Sequence, residues 1–107
     1  EMLKYSVIVP TNYNDGTPIP EELIQDFELE VMMLTGGITR ESTTEGKWLG
    51  PDRKIYIDKG IKYAIAVNEE KLQELQNLVK KHMKIFGQLA YYREIDKQID
   101  VDIEEVS

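Results

Sequence analysis

Leu3, Tyr5, Val7 and Val9 alternate with Lys4, Ser6 and Ile8, the period-two pattern of a strand with one buried face. Pro10, which has no N–H to give a ladder, ends it. Thr11 to Pro20 reads as a loop, with Asn14-Asp15-Gly16 as its turn. The pattern then changes period. Leu23, Ile24, Phe27, Val31 and Leu34 fall at helical spacing, with Gln25, Asp26, Glu28 and Glu30 on the other side. Pro20 suits the first turn of that helix, Glu21 and Glu22 complement its positive end, and Gly36-Gly37 stops it.

Ile38 to Trp48 is hydroxyl-rich and β-branched, and reads as a strand in which Gly46 marks a bulge or a close backbone approach. On simple alternation Thr39, Glu41, Thr43 and Glu45 share one side of it, and Arg40, Ser42 and Thr44 the other. Leu49-Gly50-Pro51-Asp52 makes a turn. Ile55-Tyr56-Ile57 is a short strand, which Asp58-Lys59-Gly60 either bulges or separates from the next. Ile61, Tyr63, Ile65 and Val67 then alternate with Lys62, Ala64 and Ala66. A second helix follows, capped by Asn68, lined by Leu72, Leu75, Val79, His82 and Phe86 and ended by Gly87. Leu89 to Ile95 is predicted as a strand, and Ile99, Val101 and Ile103 alternate with aspartates in a final strand-like piece. The order β-α-β-β-α-β predicts an α+β fold: a ferredoxin-like sandwich of one antiparallel sheet with two helices on one face. At 107 residues the chain makes a single domain, 1–107.

Charge and composition narrow the chemistry. A net charge of −7 opposes binding to a nucleic-acid backbone. Without cysteine there is no disulfide, thiol catalysis or thiolate metal site, and a single histidine rules out two- and three-histidine zinc centres. No apolar run is long enough to span a membrane, and Glu1-Met2-Leu3-Lys4-Tyr5 lacks the regions of a signal peptide, which points to the cytoplasm. No cofactor motif, phosphate loop or nucleophile elbow is present. The alternating aspartates near the end lack the loop that a calcium site needs.

Gly36-Gly37-Ile38-Thr39, Gly46-Lys47-Trp48 and the late Phe86-Gly87-Gln88-Leu89-Ala90-Tyr91-Tyr92 resemble the turn motifs of a group of small prokaryotic ferredoxin-like proteins. That resemblance runs from Tyr5 to about Val101 and implies a fold but no activity. More distantly the plan is similar to the dimeric α/β barrels, whose members include small oxygenases, isomerases and ligand-binding regulators. Those families place a histidine or an acid in an open-face cleft, and no such motif is matched here.

The lone Trp48 either packs in the core or at the sheet edge, or it offers a stacking platform to a planar ligand. The second reading draws on Arg40, Lys47, Arg53 and Lys54, basic neighbours in an acidic chain. Trp48, Arg40, Lys47 and Arg53, with Thr39 and Gln88 as hydrogen-bonding partners and Tyr91 and Arg93 on the last strand, are the candidate ligand-binding residues; the tyrosine and arginine line either a polar cleft or a dimer interface. His82, on an apolar stripe and without an evident partner, reads as a buried-edge histidine with one hydrogen bond. The expectation is a non-catalytic binding protein for a small anionic or aromatic molecule. It would form a homodimer or larger ring, because the sheet face without helices would expose too much apolar surface. Two other classes stay open: an acidic interaction or inhibitor module, and a small cofactorless enzyme.

Overall fold

In the structure, a computed structural model that describes residues 1–97 and 100–106, the elements follow the predicted order. They are β1 (Met2–Pro10), α1 (Glu21–Thr35), β2 (Thr39–Leu49), β3 (Ile55–Asn68), a single 3₁₀ turn (Glu69–Lys71), α2 (Leu72–Ile85) and β4 (Arg93–Asp96). The strands form one antiparallel sheet in the order β2-β3-β1-β4. This is the ferredoxin-like α+β arrangement.

Parity along the two central strands sets the core. Leu3, Tyr5, Val7 and Val9 of β1 stand opposite Val67, Ile65, Tyr63 and Ile61 of β3, and all eight are buried. Ile24, Phe27 and Val31 of α1 and Leu75, Val79 and Met83 of α2 close over that face with Phe86. Phe27 is the hub, meeting Tyr63, His82 and Phe86 edge-on at ring-centroid distances of 5.5, 5.4 and 6.5 Å. Both helices therefore lie on one side of the sheet. Leu23 and Leu72 are only half-buried at the rim of this core.

The helix ends follow backbone chemistry. Gly36 takes φ +92° and returns its N–H to the Met32 carbonyl, which is the left-handed exit expected of a glycine there. Asn68 makes no side-chain cap. It leads into the 3₁₀ turn instead, and α2 begins at Leu72. Among the described residues no helix is long and apolar enough to cross a membrane.

Three local expectations need correcting. Ile55 to Asn68 is one 14-residue strand, neither bulged nor broken at Asp58-Lys59-Gly60. The bulge lies in β2 between Arg40 and Ser42, and Gly46 pairs in register with Asp58. Glu41 is the extra residue, so Arg40 and Ser42 face opposite sides of the sheet rather than sharing one. The last strand is limited to Arg93–Asp96, Leu89 being fully exposed. Of the final strand-like piece, Ile99 lies outside the described residues, and Val101 and Ile103 are in no strand.

The open face also departs from expectation. Its centre carries Lys4, Ser6 and Lys62, with Glu41 and Glu94 reaching in. Lys62 stands 3.2 Å from Glu94 and 4.0 Å from Glu41, while Lys4 lies 3.4 Å from Glu41. Ile8, Ala64 and Ala66 are half-buried among these ion pairs. The face is polar at its middle.

Replacing Phe27 by alanine should remove about 3–5 kcal/mol, because the ring touches both helices and the sheet. Urea unfolding followed by circular dichroism measures this, and a loss below about 1 kcal/mol would contradict the packing described.

Candidate ligand and assembly surface on a projecting hairpin

The β3 ladder with β1 runs from Asn68 to Gly60, opposite Met2 and Pro10. Thr11 adds one further bond, its N–H donating to the Lys59 carbonyl at 3.0 Å. Beyond that point, among the described residues, β3 has only β2 for a neighbour. Residues 45–59 thus form a two-stranded arm that projects past the helices, and the molecule measures 54 × 29 × 25 Å.

The arm's tip is a turn. The Arg53 N–H donates to the Gly50 carbonyl and the Gly50 N–H to the Lys54 carbonyl, both at 2.9 Å. A Cβ on Gly50 would lie 2.4 Å from the Tyr56 ring, so glycine is what lets that ring cover the turn. Because the turn spans residues 50–54, Trp48 pairs directly with Tyr56. Their rings stack at 4.7 Å and 21°. The Trp48 indole N–H donates to Asp58 at 3.0 Å, and the Tyr56 hydroxyl to Asp52 at 2.5 Å. That hydroxyl and the Lys54 N–H hold the Asp52 carboxyl below its ordinary range. Trp48 remains 49% exposed and Tyr56 40%. The tryptophan is neither core nor pocket floor; it belongs to a pinned aromatic pair on an exposed ribbon.

Leu49, Ile55 and Ile57 stand on the ribbon's other side, at 66%, 70% and 54% exposure. A third strand or a helix would normally cover such residues, and among the described residues none reaches this far. At the arm's base a groove of about 320 Å³ is lined by Thr11, Thr43, Thr44, Glu45, Lys59 and Gly60. Gly60 marks the boundary: a Cβ there would lie 2.8 Å from the Val9 carbonyl and 2.9 Å from Ile8 Cγ2. The groove's hydroxyls, ammonium and carboxylate suit a small polar molecule with both donors and acceptors.

The residues expected from sequence to form one site are spread over four places. Trp48 and Lys47 are neighbours on the arm but point to opposite sides of it, and Arg53 sits at the tip with φ +64°. Arg40 faces α1, where its Nε donates to Glu28 at 2.5 Å and its Nη2 to Glu21 at 2.9 Å. Thr39 begins β2 opposite Ala64. Gln88 lies at the end of α2, its amide donating to the Phe86 carbonyl at 3.3 Å and to Asn14 at 3.4 Å. Tyr91 is half-buried against the core, and Arg93 starts β4 opposite Val7.

Two polar clusters were invisible to spacing because their partners are far apart in sequence. In the first, the buried Tyr63 donates its hydroxyl to Glu28, which also binds Arg40. Burial by itself pushes the Glu28 carboxyl up, but Arg40 and Tyr63 together hold it below the ordinary range. Burial and the Glu28 bond raise the Tyr63 phenol. In the second, Lys81 first and His82 second hold Glu30 low. His82 is buried, with its Nε2 3.2 Å from Glu30 but not aligned as a hydrogen bond. Among the described residues no cluster of three or more His, Asp or Glu stands ready to hold a metal ion.

No family model and no curated protein matches the chain. Among solved structures it is similar to a phage SAM lyase in complex with S-methyl-5'-thioadenosine. The TM-score is 0.64 at 16% identity, covering 99% of this chain and 89% of that one. The likeness shows the shared ferredoxin-like fold.

The depressed Glu28 carboxyl has a pH consequence. Its contribution to stability is fully present above the ordinary carboxylate pKa of about 4.3 and is lost as pH falls through the lower folded-state value. Thermal melts from neutral to strongly acidic pH should show a falling midpoint, less steep in Glu28→Gln. The variant should also be less stable than the parent at neutral pH. Parallel acid limbs would show that the Arg40–Glu28–Tyr63 cluster contributes nothing.

Proposed function

We propose that this is a homo-oligomeric binding protein whose hairpin arm packs on another copy and holds a small planar or anionic molecule at that junction. The arm's exposure carries the reading. Trp48 and Tyr56 on one side of a short ribbon, and Leu49, Ile55 and Ile57 on the other, are all 40% or more exposed, and clustered apolar side chains left in water favour an interaction site. An aromatic pair already pinned by Asp52 and Asp58 loses little entropy on receiving a flat ring. Lys47, Arg53, Lys54 and Lys59 give the same ribbon local cations within a chain of net charge −7, and short desolvated contacts to these outweigh a screened distant field. The structurally similar SAM lyase holds S-methyl-5'-thioadenosine, a nucleoside with a planar base, which supports that compound as the first probe.

Light scattering at micromolar concentration should give a whole multiple of 12.4 kDa. Ile55→Asp with Ile57→Asp should reduce the mass to one chain while leaving the far-ultraviolet circular dichroism unchanged, since both side chains are exposed away from the core. Titration with S-methyl-5'-thioadenosine should quench Trp48 emission, and Trp48→Ala should weaken binding by about 1–3 kcal/mol, the range for stacking a base on an aromatic ring. A single-chain mass at every concentration would remove the assembly. Unaltered nucleoside binding by Trp48→Ala would remove the tryptophan from the site.

A further inference from the structure

We infer that the acidic C-terminal segment, residues 100–106, of one copy docks as an added strand along the hairpin arm of a second copy. This rests on the assembly reading above and names what covers the arm.

Direction and reach come first. The arm leaves the sheet at the end where β1 finishes, whereas β4 runs the other way, with Asp96 opposite Lys4. Ile57 lies nine residues along β3 from Ala66, the partner of Lys4, which is about 30 Å at strand rise. The seven residues from Asp96 to Ile103 extend at most about 25 Å. Val101 and Ile103 therefore cannot lie beside the outer half of their own arm, where Leu49 and Ile57 stand, but they can lie on a neighbour's.

The chemistry of the two surfaces matches. Residues 100–106 carry four acidic side chains and no basic one, while the arm, residues 45–59, carries four basic against three acidic. Val101 and Ile103 alternate with Asp100 and Asp102, the period of a strand with one apolar side. In its own copy the segment pairs with no strand, leaving Ile103 at 74% and Val106 at 104% exposure. On the receiving side β2 is an edge strand, so its outward N–H and C=O groups accept strand addition. In that position Val101 and Ile103 lie on the side of β2 that carries Leu49, and Glu105, which shares their parity, faces Lys47.

Three forms of the protein test this by sedimentation: the full chain, a chain ending at Lys97, and Ile103→Asp. Residues 102–106 are exposed and Val101 is only half-buried, so all three should fold alike by far-ultraviolet circular dichroism. The shortened and substituted chains should dissociate at concentrations more than about tenfold higher than the full chain. In a chain with no natural cysteine, Lys47→Cys mixed with Ile103→Cys should form a disulfide between two copies on mild oxidation. An unchanged dissociation constant in the shortened chain, with Ile55→Asp/Ile57→Asp still separating the copies, would overturn this inference and leave the arm as the interface. A full chain that is monomeric at every concentration would overturn both.

Discussion

β3 has fourteen residues and β1 has nine, and most of the molecule's character follows from that mismatch. Where the two run together, their inward residues are buried under both helices. Where β1 stops at Pro10, an imino acid facing a glycine with no room for a side chain, β3 and β2 go on without support. A two-stranded ribbon alone is marginal in water. This one is held by a cross-strand aromatic stack and two side-chain hydrogen bonds to aspartates. It still leaves its aliphatic residues in solvent, so the fold builds a stable globule and an unsatisfied extension from one continuous strand.

The same parity that fills the core separates the polar residues into distinct groups. The bulge at Glu41 turns Arg40 toward α1, where it is consumed by Glu21 and Glu28. It also sends Glu41 to the open face, between Lys4 and Lys62. One extra residue thus supplies an ion pair to each side of the sheet. Exposed pairs of this kind contribute little stability individually, but they occupy charges that a ligand would otherwise engage.

Sequence pattern was sufficient where burial is one-sided and local. The alternation of Leu3 to Val9 and of Ile61 to Val67, the stripe from Ile24 to Val31, and the glycine after α1 each reflect a contact or backbone angle set within a few residues. It was insufficient where the cause is distant. Asp58-Lys59-Gly60 looks like a break because three non-apolar residues in a row have no buried face to report, and on the arm neither face is buried. For Trp48 the choice lay between core, sheet edge and stacking platform; it stands on the edge strand β2, and its position on a ribbon follows only from counting the turn at residues 50–54 and extending β3 back to Ile55. Arg40 looked available because Glu28 is twelve residues away, on a different element.

The polar middle of the open face bears on how copies would associate. Many ferredoxin-like domains have only that face to bury, and an apolar one would make sheet-on-sheet pairing the natural dimer. Here such pairing would desolvate Lys4, Lys62, Glu41 and Glu94 together. The cost of stripping water from four charges is repaid only by near-perfect cross-interface geometry. The arm presents the opposite balance: aliphatic and aromatic surface whose burial is favourable at about 25 cal/mol per Å², flanked by cations that remain at the rim in contact with water. Association through the arm therefore removes apolar surface without dehydrating the ion-pair network of the open face.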